Sequence, residues 1–291
     1  MTAATPPASP SGAGYMLAAA AGFACMSAAA KLAGARLPLF EVVFARAAFS
    51  VIATIALLRH ARVPMLGTRR PLLFLRGLFG FAGLTCSFYS LVHLPLAEAT
   101  LLQFTHPLFT LALAAWLLGE RLERGVRVGA PIAVLGLVAI VRPAALFGGA
   151  SAQLDPFASA VALAGAFFAA DAYVTVRHLT RTGEHPLAIV LSFPLVTTVL
   201  AAPLALRDFV PPTAAEWGYL CAAGISAQIA QMALTRGIQI LPASRATIYS
   251  YTQVVFASAL GALLFGEQPD AWTAIGGGLV LLGAWLAGTS R

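Results

Sequence analysis

The sequence predicts an all-α integral membrane protein of ten transmembrane helices, arranged as two inverted five-helix repeats. Three observations carry this: an extreme apolar composition, ten apolar runs of crossing length, and a self-match at an offset of 147 residues. Hydrophobic residues make up 59% of the 291-residue chain and charged residues only 10%, against about 25% charged in an ordinary soluble domain. The mean hydropathy is +0.85. So few charges cannot cover a water-facing globule that hides this many apolar side chains, so lipid is the expected solvent. The formal net charge of +7 would suggest nucleic acid in a soluble protein. Here the arginines fall mostly in short segments between apolar runs, so they read as a topology signal and not as a nucleic-acid surface.

A helix needs about 20 apolar residues to cross the hydrocarbon and satisfies its own backbone there. Such runs occupy roughly 15–34, 39–58, 72–91, 96–118, 126–141, 157–176, 187–206, 216–235, 243–265 and 271–288. They lack the ten-residue alternation of an outer-membrane barrel. The Pro-, Ser- and Ala-rich segment 1–14 contains no Lys or Arg; it reads as a disordered cytoplasmic tail and not as a cleaved signal. Alternate loops differ in charge. Arg59, Arg62, Arg69 and Arg70, then Arg121 and Arg124, Arg177 and Arg181, and Arg236 lie on one side, with only Arg36, Arg142 and Arg207 on the other. By the positive-inside rule both termini are expected in the cytoplasm, and the expected location is the bacterial cytoplasmic (inner) membrane. Cys25, Cys86 and Cys221 sit inside apolar runs without metal or disulfide spacing, and read as small core residues.

The offset of 147 aligns Leu94–Glu120 with Leu241–Glu267 without a gap. Leu94/Leu241, Pro95/Pro242, Ala99/Ala246, Thr100/Thr247, Thr105/Thr252, Phe109/Phe256, Gly119/Gly266 and Glu120/Glu267 are identical, and Gly129/Gly276 and Gly136/Gly283 keep the register. The repeats are therefore expected over 15–147 and 148–291. Five spans per copy is an odd number, so the second copy must enter the membrane from the opposite side. The loop after Glu120 carries Arg121 and Arg124 where its counterpart carries Gln268, Pro269 and Asp270, and Glu98 becomes Arg245; both changes fit opposite compartments. Inverted halves can exchange conformations, which supplies alternating access.

These residues carry a resemblance: the paired Leu-Pro-x-x-x-Ala-Thr openings, the paired Gly-Glu closings, the Gly-rich helix after each, and Phe44-Ala45-Arg46. On them the chain resembles the drug/metabolite transporter superfamily in its ten-helix EamA-type branch, most like amino-acid and metabolite exporters of the YddG type. The resemblance implies a secondary permease with a central cavity lined by spans 1, 3, 4, 6, 8 and 9. It also implies a small-molecule substrate, amino acid or metabolite, and leaves monomer or homodimer open.

Polar side chains inside hydrocarbon are costly and should face the bundle interior or water. In span 4, Gln103, Thr105, His106 and Pro107 cluster, and Pro107 removes the hydrogen bond that the Gln103 carbonyl would receive; a kink exposing that carbonyl beside His106 is expected. The matching stretch of span 9 contains Tyr249, Ser250, Tyr251, Thr252 and Gln253, with Tyr249 and Gln253 on one face. Tyr89 of span 3, Tyr173 of span 6 and Gln228 of span 8 fit the same interior. The substrate-binding set is thus Tyr89, Gln103, His106, Tyr173, Gln228, Tyr249, Ser250 and Gln253, with interhelical hydrogen bonding as the competing structural reading. Asp171 is a deep carboxylate expected either to take part in coupling or to pair with Arg177 or Arg245. Lys31, Glu41 and Arg46 are expected at a gate, together with the Pro107 kink. Arg46, about 10 Å inside its helix, is expected to pair with another span or to capture a substrate carboxylate.

Lys31 is the sole lysine and has no Walker A sequence around it, and no HExxH or GxSxG motif is present. Neither a pump with its own nucleotide site nor an embedded enzyme is indicated, and no cofactor or metal is expected. A facilitator, or a drug- or nucleobase-type permease of the same fold, is the nearest alternative.

Overall fold

A computed structural model describes residues 12–94, 100, 102–121, 123–141, 155–266 and 271–289. Tail residues 1–11, the repeat junction at 147/148, and Pro95, Glu98, Ala99, Arg142, Glu267, Gln268, Pro269 and Asp270 lie outside them. The described residues form eleven helical segments. These are α1 (Gly12–Ala33), α2 (Leu39–His60), α3 (Arg70–His93), α4 (His106–Leu118), α5 (Arg124–Val141) and α6 (Pro156–Arg181). They continue as α7 (Pro186–Arg207), α8 (Ala214–Ile240), α9 (Ala243–Ser250), α10 (Thr252–Phe265) and α11 (Ala271–Thr289). Six stretches among the described residues are long and apolar enough to cross a membrane: α1, α2, α3, α6, α7 and the run Ala243–Phe265.

Several expectations are corrected. Gly12, Ala13 and Gly14, expected in the tail, already belong to α1. Helices α6 and α8 outrun their apolar stretches: Arg177, Arg181 and Arg236 continue the helix beyond the apolar run, where a charged side chain costs nothing. Cys25 and Cys221 are free and exposed, not core residues; against lipid a thiol needs no burial. The outer surface carries Ile52, Trp116, Leu206, Leu263 and Trp285, each more than half exposed, as expected where lipid and not water surrounds the bundle.

Span 9 is also not one helix. It breaks at Tyr251, between α9 and α10. The hydroxyls of Thr247, Ser250 and Thr252 each donate to a backbone carbonyl three or four residues earlier, and such back-bonding competes with the helix ladder. The Tyr251 amide donates to the Ile248 carbonyl at 3.2 Å, a tightened turn. The first copy turns at the equivalent place, Phe104 and Thr105, before α4 starts at His106. Both helices that follow end alike: Gly119 and Gly266 take φ of 64° and 65°, left-handed values at which a side chain is strained. That conformation accounts for the repeated Gly-Glu closing.

The principal packed pairs are α1 with α8, α3 with α6, α2 with α7, and α5 with α11. Under the 147-residue offset, α1/α8 and α6/α3 are the same pair seen twice, and α5/α11 maps onto itself. The atomic contacts follow the same rule. A Cβ on Gly129 would meet the Gly283 carbonyl at 2.4 Å, and one on Gly136 would meet the Gly276 carbonyl at 2.5 Å. Gly129 pairs with the higher-numbered glycine and Gly136 with the lower, so α5 and α11 run antiparallel. Likewise Gly77 lies against Val196 and its equivalent Gly224 against Phe49, the equivalent of Val196. Small residues permit this close backbone approach, the main source of attraction between helices where both are already surrounded by apolar chains.

The interhelical turns are joined across the two copies. At the arginine-rich end Glu184 accepts from the Thr68 amide (3.0 Å), the Thr68 hydroxyl (2.8 Å) and the Arg69 amide (2.8 Å), capping α3 from another segment. At the opposite end Arg36 donates to both carboxylate oxygens of Glu216, which also closes a capping box with Thr213 at the start of α8. The Glu216 hydrogen bond raises the Arg36 pKa further above its ordinary value. Burial alone would raise the Glu184 carboxyl, but the Arg69, Thr68 and His185 donors outweigh it and hold the group below the usual carboxylate range.

Two outcomes follow. Gly283→Val forces α5 and α11 apart and should lower the melting temperature of the detergent-purified protein by the equivalent of about 1–3 kcal/mol, whereas Gly278→Val, with no neighbour within 4 Å, should melt like the wild type. Because the folded pKa of Glu184 is depressed, its stabilisation is complete above the ordinary glutamate value of about 4.5 and is lost as pH falls through the folded value. Wild type should therefore lose its thermal advantage over Glu184→Gln below about pH 4.5, measured by melting at stepped pH.

Candidate functional site

The turn before α4 fixes His106. Its Nδ1 donates to the Gln103 carbonyl at 3.2 Å, so the carbonyl freed by Pro107 is occupied by the neighbouring ring and not exposed as expected. A carbonyl only accepts, so the proton is on Nδ1 and Nε2 faces the Ser250 hydroxyl at 3.4 Å in the neutral ring. Ser250 gives its one proton to the Thr247 carbonyl, which leaves the His106 Nε2 lone pair weakly served. Tyr173 lies beside His106, ring centroids 5.5 Å apart, and Gln103 Nε2 donates to Ser87 at 3.0 Å. Four expected site residues, Gln103, His106, Tyr173 and Ser250, thus come together with Ser87.

Phe104 and Tyr251 stack beside them at 6.2 Å. They are equivalent positions of the two copies, so the pseudo-twofold axis passes between them. The same axis runs between a second equivalent pair, Arg46 and Phe193. The Arg46 guanidinium carbon lies 5.8 Å from the Phe193 ring centroid, and Arg46 Nη1 meets Met26 Sδ at 2.8 Å. The ion pair expected of Arg46 is not formed among the described residues.

Arg76, a residue not foreseen from the sequence, also approaches Phe193. Its guanidinium carbon is 5.3 Å from the same ring, it is only 5% exposed, and its Nε and Nη1 have no hydrogen-bond partner. Six residues past Arg70 at a helix start, it resembles an interface anchor, and no sequence signal set it apart from the loop arginines. Arg46, Ser50, Phe193, Gln228 and Gln231 line a cavity of about 10 Å³, room for about one water molecule and not for an amino acid. A larger cavity, about 340 Å³, is lateral and apolar, bounded by Phe44 and Phe49 of α2, Phe209 in the segment after α7, and Trp217 and Leu220 of α8.

The remaining expected residues are distributed elsewhere. Gln228 Nε2 donates to Thr54 at 2.9 Å, joining α8 to α2, while its buried Oε1 has no partner. Tyr249 is packed in an apolar cluster with Met16, Leu73 and Val176. Tyr89 stacks on His93 and meets Phe157 edge-on, away from His106. Gln253, the equivalent of His106, is half-buried two residues past the break at Tyr251. Lys31 lies over the Phe265 ring at 4.2 Å, and buried Glu41 accepts from the Val210 amide at 3.0 Å. Asp171 is half-buried on the helix face of exposed Phe167 and His178. Its expected partners are engaged with other residues: Arg177 with Glu120 at 3.0 Å, and Arg245 with Glu123.

Arg177 also donates to the Ile238 and Gln239 carbonyls, and Ser244 to Glu120. Segments from α4, α6, α8 and α9 are therefore tied together at the arginine-rich end, one helical turn beyond Tyr173.

The model of the EamA-like transporter family matches this chain twice, over residues 10–142 and 156–289. The pseudopaline exporter CntI of Pseudomonas aeruginosa is 37% identical over 261 residues, 89% of each chain. The S-adenosylmethionine uptake transporter of Rickettsia prowazekii is 28% identical over 252 residues, 86% of this chain and 83% of that one. A chain of known crystal structure superposes with a TM-score of 0.78 at 25% identity, covering 93% of this chain and 96% of its own length. With two family matches spanning nearly the whole sequence, on a helical fold whose polar groups gather on the axis relating them, the chain is a multi-pass membrane transporter, not an enzyme, and belongs to the EamA-like transporter family.

Proposed function

We propose that this transporter is a secondary permease that exports amino acids or related small metabolites, working by alternating access between two inverted halves. The supporting observation is the pairing of equivalent residues on the pseudo-twofold axis, Phe104 with Tyr251 and Arg46 with Phe193. Polar groups converge there from both copies. The antiparallel α5/α11 glycine pairs support the inversion and the repeats over 15–147 and 148–291. In this reading the chain crosses the cytoplasmic membrane ten times, with both termini and the arginine-rich end inside, as monomer or homodimer.

Export is favoured over import by the greater identity to the pseudopaline exporter than to the uptake transporter. The small volume at the axis then belongs to a contracted conformation, which the halves must open by rocking apart. The Arg177–Glu120 pair closes the cytoplasmic end: its side chains are 15% and 8% exposed, and it holds Ser244 and the end of α8 in place.

Two measurements test this. Proteoliposomes preloaded with a panel of unlabelled amino acids should show saturable counterflow of labelled ones; linear, unsaturated flux would indicate a channel, and no flux for any panel member would remove the amino-acid reading. Releasing the cytoplasmic closure should shift the population inward. On a background without native cysteines, Tyr173→Cys should react with a membrane-impermeant thiol reagent from the cytoplasmic side roughly 5-fold faster when Glu120→Gln is added, the shift that about 1 kcal/mol gives. An unchanged rate would show that the pair does not gate access.

A further inference from the structure

The mechanism above leaves the two central arginines unused. Arg46 and Arg76 both approach the Phe193 ring, at 5.8 and 5.3 Å. Among the described residues no carboxylate lies within ion-pair distance of either. The chain holds eleven acidic residues; eight of them are in the described residues, and five of these, Glu41, Glu120, Glu123, Glu184 and Glu216, are occupied with other groups. Met26 Sδ, the hydrogen-bond acceptor of Arg46, is neutral and weak. Arg76 has two buried nitrogens without any acceptor.

The direction of Arg76 is informative. An arginine this near a helix end ordinarily extends back to the interface, where its charge is hydrated. Here it extends forward along α3 instead: a Cβ on Gly80 would meet Arg76 Nη1 at 2.7 Å and the Phe193 ring at 2.5 Å. The absence of a side chain at Gly80 makes the notch that admits the guanidinium toward the middle of the bundle. A cation directed into a low-dielectric interior without a counter-charge is a demand for an anion. Two such cations at one ring are a demand for two.

We infer that this centre recognises a doubly anionic substrate, an amino-acid-like metabolite with at least two carboxylates, one held by Arg46 and the other by Arg76 beside the shared Phe193 ring. Each guanidinium fork accommodates one carboxylate in two parallel hydrogen bonds. The amino group has a place as well. Gln228 Oε1, buried and unpaired at the cavity that Arg46 lines, accepts an N–H. The inference rests on the transport reading and narrows its substrate class.

The test uses pairs of equal shape that differ by one carboxylate: glutamate against glutamine, and aspartate against asparagine. Competition for flux in proteoliposomes, and thermal stabilisation of the detergent-purified protein, should both favour the acid over its amide by at least about tenfold. Arg76→Gln and Arg46→Gln should bring that ratio toward one, and Arg76→Lys, which keeps the charge but not the fork, should retain part of it. The wild-type ratio decides the matter even where a variant fails to fold. Amides or cationic amino acids competing as well as the acids would overturn the inference and leave the transporter intact. O-phosphoserine outcompeting both acids would overturn the assignment to carboxylates. Stabilisation by the acids without any flux would remove the amino-acid transport reading and leave the anion site standing; neither flux nor stabilisation by any acid would remove both.

Discussion

Helices surrounded by hydrocarbon gain nothing from hiding apolar surface against each other, so they must hold together by contact at close range. This chain meets that constraint with glycine and alanine placed where backbones cross. Gly129 meets Gly283, Gly136 meets Gly276, and Gly22 approaches Ala230. Larger residues at these points would separate the layers, and the central groups would no longer touch. The side chains at the axis keep their positions because the small ones around them let the framework close.

The same framework explains why the centre is polar but poorly satisfied. His106 uses the carbonyl that Pro107 frees, and Gln103 reaches Ser87, so part of the polar inventory is consumed in holding the broken helix. What is left over is two guanidinium groups, the Phe193 ring and an unpaired Gln228 oxygen. A buried polar group without a partner costs free energy on folding. A transporter keeps such groups where binding will complete them.

Much of the architecture was legible in the sequence because it is periodic. The apolar runs located the long helices, and the 147-residue offset relates positions that the structure brings together, as in the stack of Phe104 on Tyr251, although the offset alone did not name that contact. The family resemblance read from the Leu-Pro and Gly-Glu signatures agrees with the twofold match of the EamA-like model. The break at Tyr251 was not legible, since span 9 has no proline; it depends on Ser and Thr hydroxyls choosing backbone carbonyls, which periodicity does not record. Arg76 escaped for a related reason. Its place in the sequence looks interfacial, and only the notch at Gly80 turns it inward. Asp171 shows the reverse case: depth along a helix was visible, but the direction around it was decided by which neighbours pack on α6.

The opposition of Arg46 and Phe193 has a consequence for energetics. Exchanging the conformations of the two halves would place a cation where an aromatic ring had been, so the centre is not mapped onto itself. In the proposed alternating cycle the inward- and outward-facing forms would therefore be unequal in free energy even with equal concentrations on both sides. Such a cycle would carry a resting bias written into the polypeptide itself, favouring one orientation before any gradient acts on it.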